Sequence, residues 1–547
     1  MTPLPMLNLP VELVHTILSY LPNSDIKSLR LVSKQYCDSV QLRLSRVFLS
    51  ANPLNIKVFR AVADHEEFRH NITEIIWDDA RLSHGGDDII HPEQGIWLPN
   101  TDISDNEIDE FNEEEDWDEG LEDPYFREED YDCVQLVIRS RRFKRQRCPH
   151  WFKAACKQSL ERTIDRRSGS SLLPVECPSI QDLCEVGPSL GECWEYYRQL
   201  VKKQDDVLAG GYDEEAFVYG LEKFTALRRV TVTPSTHNLL FGPFYQTPMI
   251  RAFPPGFFYP IPFGWPTSLT EEPEDVPAFP WQTVDERQRE KYRGFRIAIR
   301  ALAQHKHDVV ELSLDARLRF TGINCRIFED PCPEYDNFVE VLKHPGFRRL
   351  DLPLIFGGTG SEPRWQSFRN GKLRAALSEA GDLEEFSFYT AGLDGYFEGD
   401  EPPISTVPVL VESMFPLEKW HKLLHFELSR FIVSQTNVIS CLSKLPDTVV
   451  SVKLSLLVFV DGEYSWHVFL EEMRKQIQEK TLWLNSRPNV IIGTEKDMCG
   501  NGDVIWFEKE IHAFLYEDAE NPFESPPDIG PKFEWGTWKD ALDPYSL

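Results

Sequence analysis

Two clusters in this 547-residue chain hold residue types able to bind metal or move protons. Cys148, His150 and Cys156 stand close together, the last on a segment, WFKAACKQSL, that reads as a helix; His305-Lys306-His307-Asp308 falls at a predicted helix end. Neither has the paired short spacing a zinc site needs, and the 11 cysteines include no CxxC. Buried thiols behave as small hydrophobes, which accounts for the first cluster, and the helix dipole stabilises cations at a C-terminus, which accounts for the second. G-x-S-x-G, the P-loop, H-E-x-x-H and the EF-hand loop do not occur, and carboxylates are too numerous to nominate a pair. The expectation is a protein that is not an enzyme and uses no cofactor or metal.

Recognition is the chemistry left, and one stretch is built for it. Residues 7–48 read as three short helices. Asn8 can cap the first and Pro10 fits its first turn, where the missing N–H had no partner. Leu9, Leu13, Ile17, Leu18 and Leu21 then recur at helical spacing until Pro22. Asn23, Ser24 and Asp25 offer caps for a second helix with Ile26, Leu29 and Val32 on one side. Ser33 and Lys34 open a third, carrying Tyr36, Val40, Leu44 and Val47. A unit of roughly 40 residues rarely buries so many aliphatics alone, so part of the face is left for another surface.

This segment resembles an F-box. Leu9-Pro10, Glu12-Leu13, Ile17-Leu18, Leu21-Pro22, Asp25, Leu29-Arg30 and Val32-Ser33-Lys34 stand where the family's LPxEL…IL…LP…D…LR…VSK pattern places them. The resemblance implies docking of the first helix region into a groove of a Skp-type adaptor that hangs on a cullin scaffold. It further implies a substrate-recognition subunit of an SCF-type ubiquitin ligase. An amphipathic helix laying leucines into a groove is a general recognition mode, and Leu9, Pro10, Leu13, Ile17, Leu18 and Leu21 are the candidate adaptor contacts. The alternatives are an F-box adaptor acting without a cullin, and a non-catalytic solenoid interaction protein whose N-terminal helices are a structural cap.

A composition of 41% hydrophobic and 27% charged residues is that of a folded chain long enough for two or more domains. The net charge of -31 argues against a general basic surface for nucleic acid or anionic membrane. No basic leader followed by an apolar run opens the chain, no window of about 18 apolar residues follows, and an odd set of scattered cysteines suits reduced thiols. A cytoplasmic or nuclear location is expected, without membrane contact.

Seven segments repeat an apolar-x-x-apolar-x-apolar frame: Ile72/Ile75/Trp77, Leu227/Val230/Val232, Val309/Leu312/Leu314, Phe347/Leu350/Leu352, Leu383/Phe386/Phe388, Leu423/Phe426/Leu428 and Val449/Val452/Leu454. From Val309 the frames start 38, 36, 40 and 26 residues apart, with helical stretches before several of them. The alternation resembles a leucine-rich repeat, without the asparagine that family places after its last apolar position. The expected fold is therefore α+β, with an α/β repeat-like body. An F-box at 1–48 is followed by an irregular leucine-rich-repeat-like substrate-binding domain at 49–547, an arrangement that resembles fungal-type F-box proteins.

Two insertions interrupt that domain. Residues 102–132 carry a net charge of -16, more than half of the total, so like-charge repulsion predicts an acidic disordered loop. Six cations follow within 139–147, read as a helix face neutralised by that loop, as a nuclear localisation signal or, least favoured beside so much acidic charge, as a nucleic-acid patch. Residues 234–281 are rich in proline and aromatics, which excludes regular strand or helix and predicts an ordered apron. Its Phe253, Phe257, Phe258, Tyr259 and Trp265 are the candidate target contacts, weighed against an apron that only seals a core. A last helix in SWHVFLEEMRKQIQEKTL, a strand in RPNVIIGT and a tail anchored by Trp535 and Trp538 are expected to close the end of the repeats.

Overall fold

The computed structural model describes residues 11–21, 23–32, 34, 37, 40, 42–85, 148–168, 187–262, 264–267, 278–316, 321–356, 366–391, 410–459, 466–495, 503–523 and 537–540. The acidic insertion 102–132, the cations at 139–147, Leu9, Pro10 and Trp535 lie outside them.

The apolar frames become one sheet. Its strands are β1 (Arg46–Leu49), β2 (Glu74–Asp78), β3 (Arg229–Thr233), β4 (Glu311–Leu314), the two-residue β5 (Ile323–Asn324), β6 (Arg349–Ile355), β7 (Glu385–Ala391) and β8 (His425–Ser429). After the short β9 (Ile432–Val433) come β10 (Ser451–Ser455), a short β11 (Val458–Phe459), β12 (Asn489–Glu495), β13 (Asp503–Phe507) and β14 (Thr537–Asp540). Apart from β5, which pairs with the end of β6, and β9 and β11, which pair with each other, the strands lie side by side in chain order. Every pairing from β1 to β12 is parallel, and β13 and β14 finish the sheet antiparallel. The central residue of each frame is aligned with the next, so Val47, Ile75, Val230, Leu312, Leu350, Phe386, Phe426, Val452 and Val490 form one buried row. Side chains of alternate residues share a sheet face, so this row and the matching row one frame position on pack against helices on one side only.

Those helices occupy the crossovers that parallel strands require. Following α1 (Val11–Ser19) and α2 (Asn23–Val32), α3 (Pro53–Asp64) joins β1 to β2; α4 (His150–Ser168), α5 (Leu190–Gly210) and α6 (Tyr212–Lys223) precede β3; and α7 (Arg293–Gln304) precedes β4. α8 (Pro333–Leu342), α9 (Lys372–Leu377), α10 (Gln435–Ser443) and α11 (Trp466–Gln478) precede β6, β7, β10 and β12, and α12 (Lys509–Tyr516) follows β13. Their starts are legible locally. Asn52 caps α3 with Pro53 in its first turn, and Ser189 and Glu192 form a reciprocal capping box on α5. Among the described residues no helix is long and apolar enough to cross a membrane.

The expected third N-terminal helix is shorter than its pattern. Lys34 and Cys37 are helical, Val40 and Leu44 are not, and Val47 lies in β1. The β-branched and aromatic pair Val47-Phe48 finds strand partners in Ile75 and Ile76, and that pairing overrides the helical spacing. β1 thereby straddles the boundary drawn at residue 48.

The described part of the proline and aromatic insertion contains a four-residue helix, Pro248–Arg251, which Thr247 caps and Pro248 opens. A single short turn escapes the exclusion of helix because proline is tolerated at its first position. Phe257, Phe258 and Tyr259 are buried with Phe152, Leu160, Tyr197 and Leu200 of α4 and α5 in a second core, and Trp265 is buried in the main one. Phe257 and Tyr259 stack at 5.1 Å, and Phe253 packs on both from a partly buried position. These rings are spent on the interior, because sealing them from water is worth more than presenting them. Gly264 fixes how closely the insertion approaches β2: a Cβ there would strike the Asp79 carbonyl oxygen. Gly264→Ala is expected to lower stability by about 1–3 kcal/mol, read as a lower urea midpoint at unchanged slope.

Candidate functional site

Among the described residues of the N-terminal helices few apolar side chains are buried. Val14 of α1, Ile26 of α2 and Val40 are buried. Two basic side chains tie the unit: the Arg30 guanidinium donates to the Val40 carbonyl, and Arg43 donates to the Leu21 carbonyl. Asn23 and Arg43 exchange a reciprocal pair, Asn23 Nδ2 donating to the Arg43 carbonyl at 2.7 Å and the Arg43 N–H to Asn23 Oδ1 at 3.0 Å.

Several of the other described apolar residues face out. Leu13 is 52% exposed, Ile17 39% and Tyr20 82%, and their spacing of four and three residues aligns them in one stripe along α1 and its last turn. Leu31 and Val32 at the end of α2 are 88% and 71% exposed. These five are nearly half of the large exposed hydrophobics among the described residues, gathered within twenty positions. Single exposed apolar residues are ordinary, whereas an aligned group such as Leu13, Ile17 and Tyr20 is the pattern an interaction surface shows. Of the residues chosen from sequence, Leu13 and Ile17 lie in the stripe and Leu18 and Leu21 are half-buried beside it. Val32, expected on the inner side of α2 with Ile26, points to solvent. Tyr20, Leu31 and Val32 were not among the chosen contacts; Tyr20 was legible as the residue seven after Leu13.

This surface is joined to the sheet without a linker. The Ser45 carbonyl accepts the N–H groups of Thr73 and Glu74 at 2.8 and 3.1 Å, and Arg46 pairs with Glu74 at 2.7 Å. Glu74 and Arg46 begin a ladder of alternating charge on the sheet face away from the helices: Arg46, Glu74, Arg229, Glu311, Arg349 and Glu385 occupy successive strands in register. Arg229 reaches Glu311 at 2.5 Å, Arg348 reaches it at 2.7 Å, and Arg349 pairs with Glu385. Burial pushes the Glu311 carboxyl up, but the hydrogen bonds and charges of Arg229 and Arg348 outweigh it and hold the group below its usual range. Opposite charges facing across strands stabilise the pairing.

Cys156 is buried, and burial pushes the Cys148 thiol up to about 11. His307 donates from Nε2 to the Leu302 carbonyl and accepts the Val309 N–H at Nδ1, and its ring stacks on His344 with centroids 4.5 Å apart. Among the described residues no group of three His, Cys, Asp or Glu side chains is placed to hold a metal ion.

Comparison with protein families matches residues 6–47 to the F-box domain. The matched segment contains α1, α2 and the first two residues of β1, and therefore the whole exposed stripe. The chain thus carries a segment that matches the F-box at its N-terminal end, and the match does not extend to the sheet beyond β1. No curated protein and no solved structure matches it.

Proposed function

We propose that this chain is the substrate-recognition subunit of an SCF-type ubiquitin ligase, with the Leu13, Ile17 and Tyr20 stripe docked in a Skp-type adaptor and a cullin carried behind it. The observation that carries this reading is the apolar stripe left uncovered on the segment that matches the F-box. Leu9 and Pro10 extend the same contact, with Leu18 and Leu21 at its margin. Residues 49–547 form the target-binding body, an irregular leucine-rich-repeat-like solenoid, a reading supported by parallel strands laid down in chain order with one aligned apolar row. The target meets the polar sheet face, since Phe257, Phe258, Tyr259 and Trp265 are interior and Phe253 offers a partial edge. The chain then works by proximity, raising the effective concentration of target lysines near a ubiquitin-conjugating enzyme in the cytoplasm or nucleus.

Affinity capture of the tagged full-length chain from cells, followed by mass spectrometry, is expected to recover both the Skp-type adaptor and a cullin. Adaptor without cullin would replace the ligase by an adaptor function. Recovery of neither would overturn the proposal.

A further inference from the structure

At the C-terminal end of β2, Asp78 and Asp79 are adjacent and both wholly buried, at the junction of the aromatic insertion with α7. We propose that this pair is a proton-dependent latch, holding residues 234–262 against the sheet while it keeps a proton and loosening them once both carboxyls ionise. The insertion touches the pair at several points. Trp265 Nε1 donates to Asp79 Oδ2 at 2.9 Å, the Thr236 hydroxyl lies beside Asp78, and His237 Nε2 is 3.8 Å from Asp78 Oδ2. His237 in turn bonds through Nδ1 to the Tyr259 hydroxyl at 3.1 Å, and Tyr259 anchors the stack with Phe257 and Phe253. On the helix side the Gly294 N–H, in the first turn of α7, donates to Asp79 Oδ1 at 2.9 Å.

Charge counting shows why a proton is required. The cation facing the pair is Arg81, whose Nη2 is 3.1 Å from Asp79 Oδ1. From α6 and α7 come Asp213 and Arg293, which neutralise each other through two hydrogen bonds of 2.9 and 3.0 Å, with Glu290 on Arg293 as well. Burial holds His237 at about 3, so it is neutral over the relevant range and supplies no charge. Two ionised carboxylates would therefore leave one negative charge uncompensated in a dry interior, which folded proteins avoid by protonation. Burial pushes Asp78 up to about 7 and Asp79 to about 6, above the ordinary carboxylate value. Folded values above unfolded ones mean that the latch is fully closed below the unfolded value, near 3.8, and weakens as pH rises through 6 to 7. The two carboxyls share one site, so their protons leave in two steps that belong to the pair, and the latch opens with the second.

The test is hydrogen exchange of the full-length chain at about pH 5 and about pH 8.5, normalised for intrinsic exchange, one on each side of the expected transition. Amides of residues 237–262 are expected to lose protection at the higher pH while those of β6, β7 and β8 keep theirs, and Asp78→Asn is expected to retain the insertion's protection at both. Equal protection of the wild-type insertion at both pH values overturns the latch, as does a folded Asp78→Asn that opens like wild type. Should that variant not fold, infrared spectroscopy of the wild type decides: a protonated-carboxyl stretch at the lower pH that disappears with the loss of protection supports the latch, and its absence there overturns it.

Discussion

Replacing Leu13 and Ile17 together by aspartate is expected to abolish binding of a Skp-type adaptor while leaving the fold intact. Both side chains are substantially exposed, so the folded chain loses little, and substitutions at such positions usually stay within about 0.5 kcal/mol. In a complex each would be covered. Burying one aliphatic side chain is worth about 1.5–3 kcal/mol, so losing two costs roughly 3–6 kcal/mol before the added cost of desolvating two carboxylates. That corresponds to at least about a hundredfold weaker binding. Leu54→Asp and Val58→Asp on α3, exposed to a similar degree outside the F-box, are the controls and should bind as wild type. Calorimetric titration with purified adaptor checks this. Retained affinity in a folded Leu13→Asp/Ile17→Asp chain would remove the stripe from the interface and with it the proposed function.

How much of this was legible beforehand varies by element. The frames at Ile72, Leu227, Val309, Phe347, Leu383, Leu423 and Val449 all became strand entries of one sheet, because a period-two pattern backed by a preceding apolar residue needs a buried face wherever it occurs. The exposed stripe was legible in part from helical spacing, with Leu13 and Ile17 about one turn apart. What could not be read was how partners are shared over long separations. Val47 fits a helix locally and a strand globally, and only Ile75, distant in sequence, decides between them. The aromatic insertion shows the same limit. Phe257 and Tyr259 are apolar enough for an interface or a core, and the choice depends on α4 and α5, whose Phe152 and Tyr197 give them an interior. The Asp78 and Asp79 pair carries no local signal, since adjacent aspartates are usually solvated and their burial follows from Trp265 and Gly294 arriving from far along the chain.

Phe386→Ala is expected to destabilise the protein by about 3–5 kcal/mol. Phe386 is buried at the middle of the aligned apolar row, between Leu350 and Phe426 on the neighbouring strands. Its ring lies 4.8 Å from Trp420 and 5.2 Å, nearly perpendicular, from Phe415. Trp420 is pinned by its indole N–H to the Leu377 carbonyl at the end of α9, so it cannot swing into the space that alanine would open. The cavity therefore persists, and its lining loses dispersion contacts on every side. Phe386→Leu, which fills most of the volume, should recover a large part of the loss, whereas Tyr20→Ala on the exposed stripe should change stability by less than about 0.5 kcal/mol. Urea unfolding followed by tryptophan fluorescence gives all three midpoints. A Phe386→Ala midpoint indistinguishable from that of Tyr20→Ala would mean that the strands do not stack in this register, and the single continuous sheet would have to be abandoned. The same variant separates folding from docking: since it leaves the F-box side chains untouched, the buried Val14, Ile26 and Val40 included, the fraction still folded should bind the adaptor with wild-type affinity.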